Sequence, residues 1–133
     1  MSETTIKEIS SQQAWEILEA EPQAVLLDVR TSMEYEYVGH PLNALHVPWM
    51  DAPDWNIDTG FVDKVRQVLA KRTGSDQGLG SIPILAICRS GKRSQAAAEE
   101  LARYVAKAAA SKWSSFSHEP SSEYLIRVSW SSI

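Results

Sequence analysis

Cysteine occurs once in this chain, at position 88, so no intramolecular disulfide can brace the fold and no second thiol is present to resolve a reaction at the first. Histidine is scarce as well: His40, His46 and His118 are scattered, and with one cysteine they give no recognisable metal-ligand spacing. Positive charge is not in excess. Thirteen Lys and Arg against 17 Asp and Glu leave a net charge of -4, which argues against a broad electrostatic footprint for nucleic acid or an acidic membrane. No apolar run approaches the roughly 18 residues of a membrane span. The opening residues MSETTIKEIS have neither a basic n-region nor an apolar h-region. A soluble, cytoplasmic protein without cofactor or metal is the expectation, with monomer the default state. No internal repeat is found, and 133 residues suit one domain that buries its own core.

What is present alternates between strand and helix patterns. Ser10 and Gln13 match a capping box, with Ala14, Ile17 and Leu18 at helical spacing behind them, which predicts a helix over 11–20. AVLL at 24–27 is continuously apolar, as in a strand covered on both faces. Thr31 and Glu34 repeat the capping-box spacing, so a short helix with Met33, Tyr35 and Tyr37 is expected before the turn Gly39-His40-Pro41. NALHVPW at 43–49 reads as a short strand. FVDKVRQVLAKR reads as a helix with Phe61, Val65, Val68 and Leu69 on one face, capped by Asp58 or Thr59. TGSDQGLGS at 73–81 reads as a surface loop, and IPILAIC after it as the most apolar strand of the chain. From Ser94 to about Ala110 the alanines favour a helix, with Ala97, Leu101, Tyr104 and Val105 on its buried side. Such alternation points to an α/β layered fold with a mostly parallel sheet, whose ligands sit beyond the carboxyl ends of the strands.

Cys88 stands at that place, at the head of CRSGKRS. A thiolate is the reactive form of cysteine, and cations and helix N-termini favour it. Arg89, Lys92 and Arg93 surround the sulfur in sequence, Ser90 and Gly91 permit a tight curl that turns amides inward, and the helix near Ser94 adds its positive end. A lone cysteine is more often a small buried hydrophobe than a nucleophile. That reading offers no reason for three cations and two small residues in the next five positions, so nucleophilic attack by sulfur on an anionic substrate is the expected chemistry.

Two separated stretches, LLDVRTSMEYEYVGHPLNALHVPW and ILAICRSGKRSQAAAEELA, together resemble a single-domain rhodanese, a thiosulfate sulfurtransferase-like module. The resemblance spans about residues 5 to 105. It implies a three-layer sandwich with a mostly parallel central sheet between helices, and transfer of sulfane sulfur through a cysteine persulfide. By position, Cys88 would be the catalytic sulfur carrier, and Arg89, Ser90, Gly91, Lys92, Arg93 and Ser94 would bind an anionic sulfur donor. Asp28 and Arg30 match the family's Asp-x-Arg element and Glu34 its acidic position; burial of such charges requires partners, so they are expected to give structural support. With no second thiol, sulfur would pass to an external acceptor, a small or protein thiol in the cell or cyanide in assay, by a ping-pong cycle.

Two other classes remain open at this stage. Cysteine phosphatases and arsenate reductases also place a thiolate in an anion-binding loop, but the phosphatases put an arginine six residues after the cysteine, whereas here Arg93 is five residues on. Rhodanese-like domains also occur as non-catalytic binding modules, often without the cysteine. His40 in its turn is expected to be structural. Trp49 and Trp55 are expected in packing, with lining of the site's mouth the less favoured use.

Past Tyr104 the resemblance stops, and no glycine follows Gly91. The rhodanese-like domain is therefore set at 1–110, and 111–133 as a serine-rich, atypical C-terminal tail, which is either flexible, an added edge strand, or, through 123–130, a replacement for the strand that such domains carry after the active-site helix.

Overall fold

The computed structural model describes residues 6–41, 43–74, 79, 82–112 and 125–129, with backbone only for 108–112 and 125–129. In chain order the elements are β1 (Lys7–Ile9), α1 (Ser11–Ala20), β2 (Val25–Asp28), a π-helical turn (Glu34–Val38), β3 (Leu45–His46), α2 (Phe61–Thr73), β4 (Ile84–Cys88), α3 (Lys92–Lys112) and β5 (Leu125–Ser129). The strands form one sheet in the order β1-β5-β4-β2-β3, and every pairing is parallel.

The central strands are apolar without interruption because both faces are covered. Val25, Leu27, Ile84, Ala86 and Cys88 face a core with Phe61, Val65 and Leu69 of α2 and Ala97, Leu101 and Val105 of α3. Their neighbours Leu26, Leu85 and Ile87 face the opposite side with Ile9 and with Ala14 of α1. Period-two alternation within a continuous apolar run thus distributes one strand between two cores. The cysteine points to the α2/α3 side.

The local signal before α1 is realised. Gln13 N–H donates to Ser10 Oγ at 3.1 Å and Ser10 N–H to Gln13 Oε1 at 2.9 Å, closing the capping box. At the start of α2 the expected cap is corrected: Gly60 occupies the cap position without a side-chain bond, and the Asp58 carboxylate instead accepts from Gly60 N–H at 2.8 Å and from Lys64 Nζ at 2.5 Å. The helix starts after the loop's turn, which leaves Asp58 two residues ahead of the cap position and its carboxylate on the Gly60 amide. α3 begins at Lys92, two residues before expectation, because Gly91 C=O already accepts from Gln95 N–H at 2.9 Å. On α3, Tyr104 is half-buried under the Arg66 guanidinium, 5.1 Å from the ring centre, while Ala98 and Ala102 join the buried side. The strand expected over 43–49 is reduced to Leu45–His46; Asn43 at φ 65° bends the chain before it, and Pro48 lacks the N–H a longer ladder would need.

β5 is not an added edge strand. It lies between β1 and β4, with Glu8 and Ala86 both paired with Arg127. An edge position would leave one row of backbone groups unpaired, whereas this slot pairs both. The expected loop at 75–78 and 80–81, and the tail at 113–124 and 130–133, lie outside the described residues.

Candidate active site

Three connections leave the carboxyl edge of the sheet side by side, after β2, β3 and β4. The third is the loop behind Cys88. Gly91 sits at φ 92°, a conformation that costs a glycine nothing, and its amide turns back to the sulfur. Gly91 N–H donates to Cys88 Sγ at 3.0 Å and Ser94 N–H donates at 3.3 Å. Ser94 N–H is in the first turn of α3, where backbone donors lack helical partners, so the sulfur takes the place of a helix cap at the helix's positive end.

Both protonation states of the sulfur have partners. As a thiol, Cys88 donates to Ser94 Oγ at 3.5 Å, and Ser94 Oγ–H donates in turn to Gly91 C=O at 3.1 Å. As a thiolate it accepts the two amides. Cys88, Gly91 and Ser94 are buried, whereas Arg89, Ser90 and Lys92 of the same loop are exposed.

Arg93 is used differently from its two cationic neighbours. Its guanidinium forms a two-pronged pair with Glu34, at 2.6 and 3.0 Å, binding the loop to the π-helical turn 59 residues away. Glu34 also accepts from Thr31 N–H at 3.1 Å and Thr31 Oγ at 3.0 Å. The Arg93 hydrogen bond, helped by Thr31 and opposed by partial burial, holds the Glu34 carboxyl well below its ordinary range, at about 2. The same contact pushes the Arg93 guanidinium up.

This pair sets a pH dependence of stability. Glu34 has a lower pKa folded than unfolded, so its contribution is fully present above the ordinary value of 4.5 and is lost as pH falls toward about 2. With both side chains about one-quarter exposed, solvent screening reduces it to roughly 1–3 kcal/mol. The stability difference between wild type and Glu34→Gln, from urea midpoints, is therefore expected to be large at pH 7 and to shrink by pH 3. A difference independent of pH would refute the assignment.

Asp28 and Arg30 form the second pair, fully buried behind the site. Arg30 Nε donates to Asp28 Oδ1 at 3.0 Å and Nη2 to Oδ2 at 2.7 Å, with a further bond from Nη2 to Gly39 C=O at 2.6 Å. Gly39, at φ 109°, gives the chain the bend that brings this carbonyl inward. Glu34 thus joins Arg93 and not the Asp28–Arg30 pair. The turn it rides on is braced by a ring stack, with Tyr35 between His40 at 3.7 Å and His46 at 4.2 Å. His40 Nδ1 bonds to Tyr35 C=O at 2.8 Å and His46 Nε2 to Arg30 C=O at 2.9 Å, structural uses in both cases. Ser32 N–H and Oγ both bond to the Asp51 carboxylate, joining this turn to the connection after β3. Trp49 is buried, edge-on to Phe61 at 5.1 Å, while Trp55 is half-exposed.

The Glu34–Arg93 pair, the Tyr35 stack and the Ser32–Asp51 link had no signal in sequence beyond the Thr31–Glu34 spacing, since the two bonded pairs join distant segments and the stack depends on how the turn folds back on itself. Among the described residues no cluster of His, Cys, Asp and Glu could hold a metal ion.

A parallel sheet between helices, with a cysteine capping the helix that follows its central strand, defines a cysteine-loop α/β domain. Residues 10–116 match the family model of the rhodanese-like domain, and the chain belongs to that family. The matched span runs past residue 110. A crystal structure of Rv0390 from M. tuberculosis is 31% identical, with a TM-score of 0.59 over 74% of this chain and 70% of that one. A Saccharomyces cerevisiae protein solved at atomic resolution is 21% identical, with a TM-score of 0.54 over 94% of this chain and 85% of that one, a likeness of fold. No curated protein matches. Family membership supports a sulfurtransferase-type or related cysteine-based activity. No helix among the described residues is long and apolar enough to cross a membrane.

Proposed function

We propose that the protein is a sulfurtransferase that moves sulfane sulfur from thiosulfate or a similar anionic donor to a thiophilic acceptor through a persulfide on Cys88. The observation that carries this reading is the pair of amides, Gly91 and Ser94, converging on Sγ at 3.0 and 3.3 Å. Donors so placed favour negative charge on sulfur, whether on the thiolate or on a persulfide.

In the first half-reaction the Cys88 thiolate attacks the outer sulfur of thiosulfate. A Cys88 S–S bond forms, the S–S bond of thiosulfate breaks, and sulfite leaves with the bonding electron pair. Arg89 and Lys92, exposed at the loop, meet the dianion; Arg93, joined to Glu34, sets the curvature of the loop. In the second half-reaction an acceptor thiolate or cyanide attacks the outer sulfur of the persulfide, and the electron pair returns to Cys88. The lone cysteine leaves the transfer to an external acceptor.

The test is mass spectrometry of the protein after thiosulfate treatment, followed by cyanide. Wild type is expected to gain one sulfur atom and to lose it as thiocyanate, with Cys88→Ser gaining none. A folded wild type that gains no sulfur would overturn the proposal.

A further inference from the structure

The two half-reactions make different demands on the surface around Cys88. A thiosulfate-like donor is small and anionic, and amides and cations suffice for it. Yet the carboxyl edge also carries a set of exposed apolar side chains for which such a donor has no use. Among the described residues six large hydrophobic side chains are exposed, and five of them belong to the connections after β2 and β3. They are Met33 (60%), Tyr37 (83%), Val38 (71%), Trp55 (50%) and Ile57 (52%). The sixth, Trp15, is on α1.

These five stand on segments fastened to the cysteine loop. Glu34, within one turn of Met33, Tyr37 and Val38, pairs with Arg93; Ser32 is bonded to Asp51, which leads into Trp55 and Ile57. Trp55 sits at φ 59°, held by its N–H to Asp51 C=O at 2.9 Å, an uncommon conformation for a bulky residue, and half of the residue stays exposed. Exposed Trp, Tyr and Met on segments bonded to the loop of a recessed reactive atom have the composition of a protein-binding surface.

Resting on Cys88 as the sulfur carrier, we infer that the apolar rim formed by Met33, Tyr37, Val38, Trp55 and Ile57 docks a protein acceptor, whose thiol is presented on an apolar segment flanked by carboxylates. The charge pattern gives the orientation. Arg89 and Lys92 are exposed on the loop that follows the sulfur, while the exposed acidic residues Glu36 and Asp54 lie on the rim segments. The carboxylates of the incoming segment therefore face the cysteine loop, and its apolar side chains face the rim. Cys88 is itself buried, so a thiol has to be delivered over the Arg89–Ser90 bend, and docking of the surrounding segment supplies that approach.

The test uses two fluorescein-labelled peptides, one with Leu and Phe before a cysteine and two Glu after it, the other with Ser and Gln before and two Lys after. Binding is read by anisotropy with serine replacing the peptide cysteine, and sulfur transfer by mass with the cysteine present. The apolar–acidic peptide is expected to bind about tenfold more tightly and to accept sulfur correspondingly faster. The Met33→Ser/Tyr37→Ser/Trp55→Ser variant is expected to lose that preference while its thiocyanate formation with cyanide stays at the wild-type rate. Equal binding of both peptides, or a preference retained in the variant, would overturn the inference. So would a wild-type dimer in sedimentation that the variant abolishes, since the rim would then belong to a second copy. Preferential binding without thiocyanate formation would refute the sulfur-carrier reading while upholding the rim as a docking surface, so the two failures are distinguishable.

Discussion

Arg127→Pro is expected to prevent folding. β5 is the second strand of the sheet, pairing Lys7, Glu8 and Ile9 of β1 on one side and Ile84 through Cys88 of β4 on the other. Proline at 127 removes a backbone donor and places a ring in a ladder bounded on both sides, where proline is essentially never tolerated. The cost is about 3 kcal/mol or more, a large part of the roughly 5–15 kcal/mol by which a domain of this size is stable. Loss of β5 would also strand β1, whose described ladder contacts are all with β5, and would uncover the edge of β4 that ends in Cys88. The measurement is the urea midpoint followed by far-UV circular dichroism, with Arg127→Thr, which keeps the amide, as control. A proline variant with the wild-type midpoint would show that the strand does not belong between β1 and β4.

Arg30→Met is expected to be comparably severe. Asp28 is fully buried and Arg30 only 2% exposed, and the pair is satisfied internally by two-pronged bonding and by Gly39 C=O. Removing the guanidinium leaves a carboxylate buried without its cation, a change that typically costs about 3–5 kcal/mol. Arg30→Lys is expected to restore little, because a point ammonium cannot reproduce the fork that reaches both carboxylate oxygens and the Gly39 carbonyl. The double variant Asp28→Asn/Arg30→Met should recover part of the loss, since neither charge then has to be desolvated. A double-mutant cycle by urea unfolding measures the coupling. Additive losses would contradict the pairing. The effect should reach the site, because Arg30 anchors the stretch that carries Glu34, and Glu34 holds Arg93 of the cysteine loop.

Much of this architecture was legible residue by residue. The capping box at Ser10, the continuous apolar run before Asp28 and the run ending at Cys88 produced the elements expected of them, because each signal acts over a few residues. The cysteine loop was legible for the same reason: glycine, cations and a helix start lie within seven positions of the sulfur. Asp58 has the residue type of a cap but does not cap α2, because capping depends on where the turn before the helix releases the chain. Trp49 and Trp55, alike in the sequence as packing residues, part in the structure, one buried and the other half exposed at a positive φ. Composition cannot report which side of a turn a ring will occupy.

By itself, the sequence determined that this is an α/β chain with its only thiol at a strand end inside a cationic, amide-rich loop. Periodicity and local turn chemistry are properties of neighbouring residues and survive in a linear reading. Only the tertiary structure decided that Arg93 belongs to Glu34, that Tyr35 is clasped by two histidines, and that the last described strand lies inside the sheet. The first and last depend on contacts between segments many residues apart, where charge neutralisation and backbone pairing select a partner that no local pattern names, and the clasp depends on how the turn between β2 and β3 folds back.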